Sequence, residues 1–346
     1  MVTRTNRKTQ YDYSLVVPVY FNEGCLIPLT AAFIEKVVSK NPNRTSEIIF
    51  VDDGSKDKSL DELFGLRAQY PDLIKIIKLS RNFGQNSAII AGLTHANGKC
   101  VIVTSADGQD PPELINDMLK AYFEDGFEIA ICTRKSRDGS LFRAITSRIA
   151  YSIIKRLTFP NMPVGGFDYV LLGNRALEVY LRNLDSNSFF QGLILWSGYK
   201  IKFFEYHRKE RISGKSGYTF WKMLFNLIDA ILAFSYFPIR MMSFTGIIFS
   251  FLGFIYAIDI IWTKLFYGVP IEGWAPIMVV MLVTGGIQIL LLGIIGEYIW
   301  RILSQVRNRD LYVIDSLYGK FNPRFLDKRQ FAQSASMASD DQNLQE

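Results

Sequence analysis

The chain is poor in the residues that most often build reactive centres. Only two histidines occur, His95 and His207, in 346 residues. That excludes a histidine-rich metal centre and gives little support to a histidine-dependent triad. The three cysteines, Cys25, Cys100 and Cys132, are odd in number and sit in apolar surroundings. They read as small core side chains in a reducing compartment, not as a disulfide framework or a thiolate metal site. The first 15 residues are polar and basic and hold no apolar run, so no secretory signal is expected there. No internal repeat and no low-complexity linker interrupts residues 13–135.

Apolar residues are plentiful and unevenly spread: they make up 49% of the chain and concentrate after Gly217. The net charge of +6 suits an anionic partner such as a nucleotide, a lipid phosphate or a membrane surface, without choosing among them. Before Gly217, short β-branched runs alternate with helical patterns. The runs predict strands at Ser14–Pro18, Glu47–Val51, Ile74–Leu79, Lys99–Thr104 and Glu128–Thr133. Helices are expected at Leu26–Ser39, Lys58–Gln69, Gln85–Ala96 and Pro112–Glu124. That rhythm implies βαβ crossovers and a mostly parallel sheet covered by helices on both faces.

Ligands of such sheets gather at the carboxyl ends of the strands. Three of the predicted strands end in acidic loops. The first runs into Pro18-Val19-Tyr20-Phe21-Asn22-Glu23, and the second into Asp52-Asp53-Gly54-Ser55-Lys56-Asp57. The fourth ends in Ser105-Ala106-Asp107-Gly108-Gln109-Asp110-Pro111-Pro112. Each alone reads equally as turn-and-cap chemistry. Together, on one edge, their hard oxygen donors suit Mg²⁺ or Mn²⁺ holding a diphosphate. Adjacent residues on a strand point to opposite faces, so of Asp52 and Asp53 one can meet a ligand while the other is held by the scaffold.

The second half reads as membrane-associated. Residues 219–240 carry Lys222, Asn226 and Asp229 at i, i+4 and i+7, a single polar stripe on an apolar helix suited to the interface. Met241–Trp262 and Ile277–Trp300 each exceed the ~20 residues needed to cross hydrocarbon. Arg240 precedes the first run and Arg301, Arg307 and Arg309 follow the second. The positive-inside rule then places both ends and the N-terminal domain in the cytoplasm. Glu297 lies one turn before Arg301, where an i,i+4 ion pair explains it.

The motifs P-V-Y-F-N-E, V-D-D-G-S-K-D and S-A-D-G-Q-D-P-P-E resemble those of the inverting family 2 glycosyltransferases. The segments R-K-E-R-I-S-G-K-S-G-Y, F-S-Y-F-P-I-R and G-I-I-G-E-Y-I-W-R narrow this to the polyisoprenyl-phosphate glycosyltransferases. This group includes the bactoprenol glucosyltransferases and dolichol-phosphate-mannose synthases. The resemblance covers about residues 12–315.

It implies a cytoplasmic GT-A domain over 1–218, Rossmann-like with a mostly parallel sheet. An amphipathic helix over 219–240 and two spans within 241–302 (241–262 and 277–300) would follow. A cytoplasmic segment over 303–346 would then be disordered after about residue 320. The implied protein is an integral membrane enzyme of the inner membrane. It would move one sugar from a nucleoside diphosphate sugar, such as UDP-glucose, to undecaprenyl (bactoprenol) phosphate. Nucleic acid is not among its expected partners, and a homo-oligomer stays open.

Carried over by position, Pro18, Tyr20, Glu23, Asp52, Asp53, Ser105 and Asp107 would line the nucleotide-sugar pocket. Asp107 and Gln109 would hold the metal. Ser105 stands where the family's D-x-D motif has its first aspartate, which predicts weaker metal binding. Arg134, Arg148, Ser152, Arg208, Arg211 and Lys215 would receive the acceptor phosphate, with guanidinium forks offsetting the repulsion between two phosphates. Asp107, Arg134, Asp168 and Arg211 would carry the chemistry. Asp168 matches a position proposed as a base, although a phosphate monoester with a second pKa near ~6 needs none. Asp168 orienting an arginine is the other reading. Arg211, Gly214, Lys215 and Ser216 resemble a loop that closes over phosphate. Two further functions stay open: a processive polysaccharide synthase and a nucleotide-sugar-binding scaffold without turnover. Against the synthase, Gln191–Trp196 lacks the arginine of a Q-x-x-R-W segment, and two spans are too few for a channel.

Overall fold

The computed structural model describes residues 9–134, 152, 155, 159, 161–163, 166–184, 189–207, 237–267, 274–307 and 309–321. Five strands and four helices alternate through the first part. They are β1 (Tyr11–Val19), α1 (Leu26–Phe33, continued by a wider π-type turn over Ile34–Val38), β2 (Ser46–Asp52), α2 (Ser59–Gln69), β3 (Ile74–Leu79), α3 (Gln85–His95), β4 (Gly98–Val103), α4 (Leu114–Phe123) and β5 (Ile129–Arg134). Then come β6 (Tyr169–Gly173), α5 (Asn174–Arg182), α6 (Phe190–Trp196) and β7 (Ile201–Tyr206). The long helices α7 (Phe237–Tyr267) and α8 (Trp274–Arg307) precede a last strand, β8 (Ile314–Tyr318).

All eight strands form one sheet in the order β7-β5-β6-β4-β1-β2-β3-β8. Strand β1 pairs in parallel with β2 and β4, β2 with β3, and β5 with β7. Strand β6 runs antiparallel between β4 and β5, and β8 is an antiparallel edge on β3. The sheet is therefore mixed and mostly parallel, the expected α/β class.

Period-two alternation feeds two cores. Tyr13, Leu15, Val17 and Val19 of β1 pack with Leu63 of α2 and Ile115, Met118 and Leu119 of α4. Val16, on the opposite face, packs with Ala88, Ile89, Ala91 and Leu93 of α3 and Leu177 of α5. Contact there is close: a Cβ on Gly92 would lie 2.3 Å from Val16 Cγ1, so only glycine lets α3 approach β1. The amino ends of the strands are held by a buried ion pair, Lys75 Nζ to Glu47 Oε2 at 2.7 Å. Glu47 Oε1 also accepts the Ser14 hydroxyl and the Asn97 N–H, so no buried oxygen of this carboxylate goes unused.

Two expected boundaries change. The helix that begins the apolar region starts at Phe237 and takes in residues 237–240, which had been assigned to the amphipathic segment. The rest of that segment lies outside the described residues. Second, the chain beyond α8 is not separate from the N-terminal domain. Strand β8 zips onto β3, with Lys78 Nζ bonded to Asp315 Oδ2 at 2.6 Å and Tyr312 buried in the core. The expected disorder after about residue 320 falls mostly on residues 322–346, which also lie outside the described residues.

Helices α7 and α8 contain stretches, Ile239–Thr263 and Val283–Arg307, long and apolar enough to cross a membrane. Their described apolar side chains, including Phe244, Phe251, Phe254, Ile289 and Leu292, face outward. Glu297 and Arg301 form the i,i+4 ion pair, 3.3 Å apart.

Candidate active site

The carboxyl ends of β1, β2 and β4 carry three loops that bond to their surroundings through backbone amides. Tyr20 N–H donates to Asn22 Oδ1, which turns the chain as it leaves β1. The next amides donate to the β2 loop and α2: Phe21 to Ser55 Oγ, Asn22 to Ser59 Oγ and Glu23 to Asp57 Oδ2. Glu23 answers by accepting the Lys58 N–H at the start of α2. Pro18 is half-buried in register with Val51, while Tyr20 is 46% exposed at the mouth of the edge.

Asp52 and Asp53 separate sharply. Asp53 is buried, and its two oxygens accept the N–H groups of Phe83 and Gly84 at 2.7 and 2.9 Å. This ties Asp53, expected in the nucleotide pocket, to the S-R-N-F-G loop after β3. Gly54 makes this possible. It sits at φ +73°, and a Cβ there would meet Arg81 C and Asn82 N at 2.8 Å. Asp52 is equally buried, and its Oδ1 accepts the Ser55 N–H at 3.2 Å. Its Oδ2 has no hydrogen-bond partner. Burial raises the pKa of both carboxyls above the ordinary aspartate value. A buried acceptor left unpaired in a binding loop is a place for a ligand N–H or O–H.

The β4 loop is centred on Ser105. Its hydroxyl lies 2.7 Å from Asp107 Oδ1 and 2.6 Å from Asp110 Oδ2, and its N–H donates to Asp110 Oδ2. Gln109 N–H donates to Asp107 Oδ1. Ser105 thus draws two carboxylates together at the position where the family's D-x-D motif has its first aspartate. Among the described residues no group of three or more His, Cys, Asp or Glu side chains is arranged to hold a metal. The Asp107 carboxylate beside the Gln109 amide and the Ser105 hydroxyl still fits a Mg²⁺-like ion, which keeps waters and substrate phosphates as its remaining ligands.

Asp110 leads away from this loop. It is 3% exposed, and its Oδ1 accepts the Tyr206 hydroxyl at 2.6 Å. Tyr206 ends β7 in register with Arg134, the last residue of β5. Burial first, and then the charge of Asp110, raise the Tyr206 phenol above its ordinary pKa, so it stays a donor. Arg134 Nη2 reaches Asp168 Oδ2 at 3.0 Å. Burial works against the Arg134 charge, but Asp168, the Tyr206 hydroxyl and Asp110 outweigh it and hold the guanidinium firmly protonated. Gln191 Nε2 donates to Phe167 O and so fixes the backbone beside Asp168.

Sequence reasoning gave Asp110 no role and did not single out Tyr206. The available signal was a buried-looking acid between Gln109 and Pro111, which demands a partner. The partner stands 96 residues away. Arg148, Arg208, Arg211 and Lys215 lie outside the described residues, and Ser152 is exposed.

A mostly parallel αβα sandwich with acidic loops on one strand edge is the GT-A architecture, here followed by two helices long and apolar enough to cross a membrane. Two family descriptions match in this order: Glycosyl transferase family 2 over residues 14–181 and GtrB C-terminal hairpin over residues 237–302. An uncharacterized glycosyltransferase, YkcC, of Bacillus subtilis (strain 168) is 37% identical over 314 residues, 90% of this chain and 96% of the relative. The SfII prophage-derived bactoprenol glucosyl transferase of Shigella flexneri is 33% identical over 303 residues, 87% of this chain and 96% of the relative. Among solved structures, a mannosyltransferase of Pyrobaculum calidifontis aligns at a TM-score of 0.48 and 17% identity, covering 66% of this chain and 64% of that one. The chain belongs to glycosyltransferase family 2, in the group that carries a GtrB-type C-terminal hairpin.

Proposed function

We propose that this enzyme transfers one sugar from a nucleoside diphosphate sugar, UDP-glucose being the first donor to test, to a polyprenyl phosphate of the undecaprenyl type. The observation that carries this reading is β8. The chain leaves the catalytic domain, runs through α7 and α8, and returns to pair with β3, so the apolar hairpin is built into the catalytic sheet. Such an arrangement suits an acceptor whose phosphate lies at the membrane surface. The name of the Shigella flexneri relative, matched along 96% of its length, supports the same acceptor. Arg240, Arg301, Arg307 and Arg309 favour a cytoplasmic active site.

In this reading the orphaned Oδ2 of Asp52 accepts an N–H or O–H of the nucleoside, beside Pro18 and Tyr20. Asp107 and Gln109 would hold Mg²⁺ or Mn²⁺, with the Ser105 hydroxyl beside Asp107. When bound, that ion supplies positive charge to the departing diphosphate. Arg134 receives the acceptor phosphate, with Arg148, Ser152, Arg208, Arg211 and Lys215 proposed to complete the pocket. The acceptor, with a second pKa near ~6, is largely dianionic and attacks the anomeric carbon in line, inverting it. No base is needed, and the ion pair at 3.0 Å makes Asp168 the residue that orients Arg134.

The test is a transfer assay on the full chain in membranes with radiolabelled UDP-sugars, undecaprenyl phosphate and Mn²⁺. A single-sugar lipid product supports the reading. Chloroform-insoluble polymer would instead make the chain a processive synthase. Nucleotide binding without any product would make it a scaffold.

A further inference from the structure

The turn proposed to hold the donor diphosphate and the arginine proposed to hold the acceptor phosphate come from different strands, yet one chain of contacts, buried at its centre, joins them. Ser105 Oγ meets Asp110 Oδ2 at 2.6 Å, and Asp110 Oδ1 accepts the Tyr206 hydroxyl at 2.6 Å. Tyr206 lies in register beside Arg134, and Arg134 reaches Asp168 at 3.0 Å. Asp110 and Tyr206 are 3% and 6% exposed, so neither is placed to touch a substrate directly. Burying a carboxylate and a phenol together costs desolvation that a purely apolar packing would avoid.

We propose that Asp110 and Tyr206 are positioning residues: they fix the Arg134 guanidinium against the diphosphate-binding turn, so that acceptor phosphate is received at the correct distance from the donor. The Tyr206 ring has its own support, packing edge-on to Tyr169 with centroids 6.1 Å apart. Its hydroxyl can therefore be removed without emptying the core. Arg134 carries one formal positive charge between two carboxylates, Asp110 through the phenol and Asp168 directly. Losing the phenolic link leaves Asp168, which is 47% exposed, as its direct ion-pair partner among the described residues.

The inference rests on the acceptor role proposed for Arg134, and the experiment separates the two. Binding of undecaprenyl phosphate and of UDP-glucose with Mn²⁺ is measured on the detergent-solubilised full chain. Tyr206→Phe is expected to weaken undecaprenyl phosphate binding about tenfold, the worth of a hydrogen bond in a charged network. UDP-glucose binding should stay at its wild-type value, while the thermal midpoint falls because Asp110 Oδ1 is left buried without its donor. Asp110→Ala should weaken lipid-phosphate binding equally, and the double variant no further. Asp110→Asn keeps an acceptor for the hydroxyl but sets its NH₂ against the Ser105 N–H, so it should recover only part of the loss. Unchanged lipid-phosphate binding in Tyr206→Phe, or equal weakening of both ligands, overturns the relay. Should Arg134→Ala bind undecaprenyl phosphate as the wild type does, the acceptor role itself falls, and the relay with it.

Discussion

Asp52 and Asp53 are neighbours in sequence and opposites in task, which predicts opposite consequences of the same mild substitution. Asp53→Asn puts an amide NH₂ against the N–H of Phe83 or Gly84 and is expected to cost about 2 kcal/mol of stability. Asp52→Asn removes a charge that burial already disfavours, so the thermal midpoint should hold while nucleotide affinity falls. Denaturant unfolding and nucleotide binding, measured on both variants, check the pair. A midpoint loss in Asp52→Asn with intact binding would reverse the assignment. The sequence showed that one acid had to face the ligand, but not which one. That depended on a loop 30 residues on, placed by the close approach of Gly54 to Arg81 and Asn82.

His95, the last residue of α3, offers a pH prediction. It is fully buried, donates to Ala91 O and packs edge-on to Phe321. Burial lowers its pKa from 6.5 to about 4. The folded state therefore excludes a proton that the unfolded chain accepts below its ordinary value. Stability is fully present above about pH 6.5 and should fall by about 3 kcal/mol between pH 6.5 and 4. The unfolding free energy of His95→Gln should lack that part of the slope. An identical slope in both proteins would remove His95 as the cause.

At the scale of elements, locally encoded units were legible and distant pairings were not. Strands β1 to β5 and helices α1 to α4 fall within a few residues of their expected bounds, because β-branched runs and apolar periodicity are local signals. Strand β8 was missed. Its five residues, I-D-S-L-Y, gain strand character only by completing an edge whose Lys78–Asp315 bond spans 237 positions. Strand β7 was missed likewise, and with it Tyr206. That return strand is also where an element-level test lies. Tyr312→Ala, which empties a buried position just before β8, should cost about 3 kcal/mol and loosen the strand from β3. Hydrogen exchange should then rise at Ser316–Tyr318 and in β3 while β5 and β7 keep their protection. Unchanged exchange in β3 would show that β8 is a passive edge.

For the whole molecule, the division of labour follows from where each kind of residue sits. Oxygen donors gather at the carboxyl edge of the sheet, a chain of contacts leads from them to Arg134, and most of the large exposed apolar side chains among the described residues lie on α7 and α8. The fold class and the acidic loops could be read from residue order alone. The internal wiring between Ser105, Asp110, Tyr206 and Arg134 could not, since it depends on side chains from β4, β5 and β7 meeting in three dimensions.

The most direct measurement of the central claim is transfer of radiolabelled sugar from UDP-glucose to undecaprenyl phosphate by the full chain in membranes, with Asp107→Ala in parallel. A lipid-linked single sugar is predicted for the wild type. Its rate should fall by more than about 100-fold in Asp107→Ala, which should still insert and fold. No lipid-linked product from any UDP-sugar would contradict the proposed reaction, and wild-type transfer by Asp107→Ala would contradict the site.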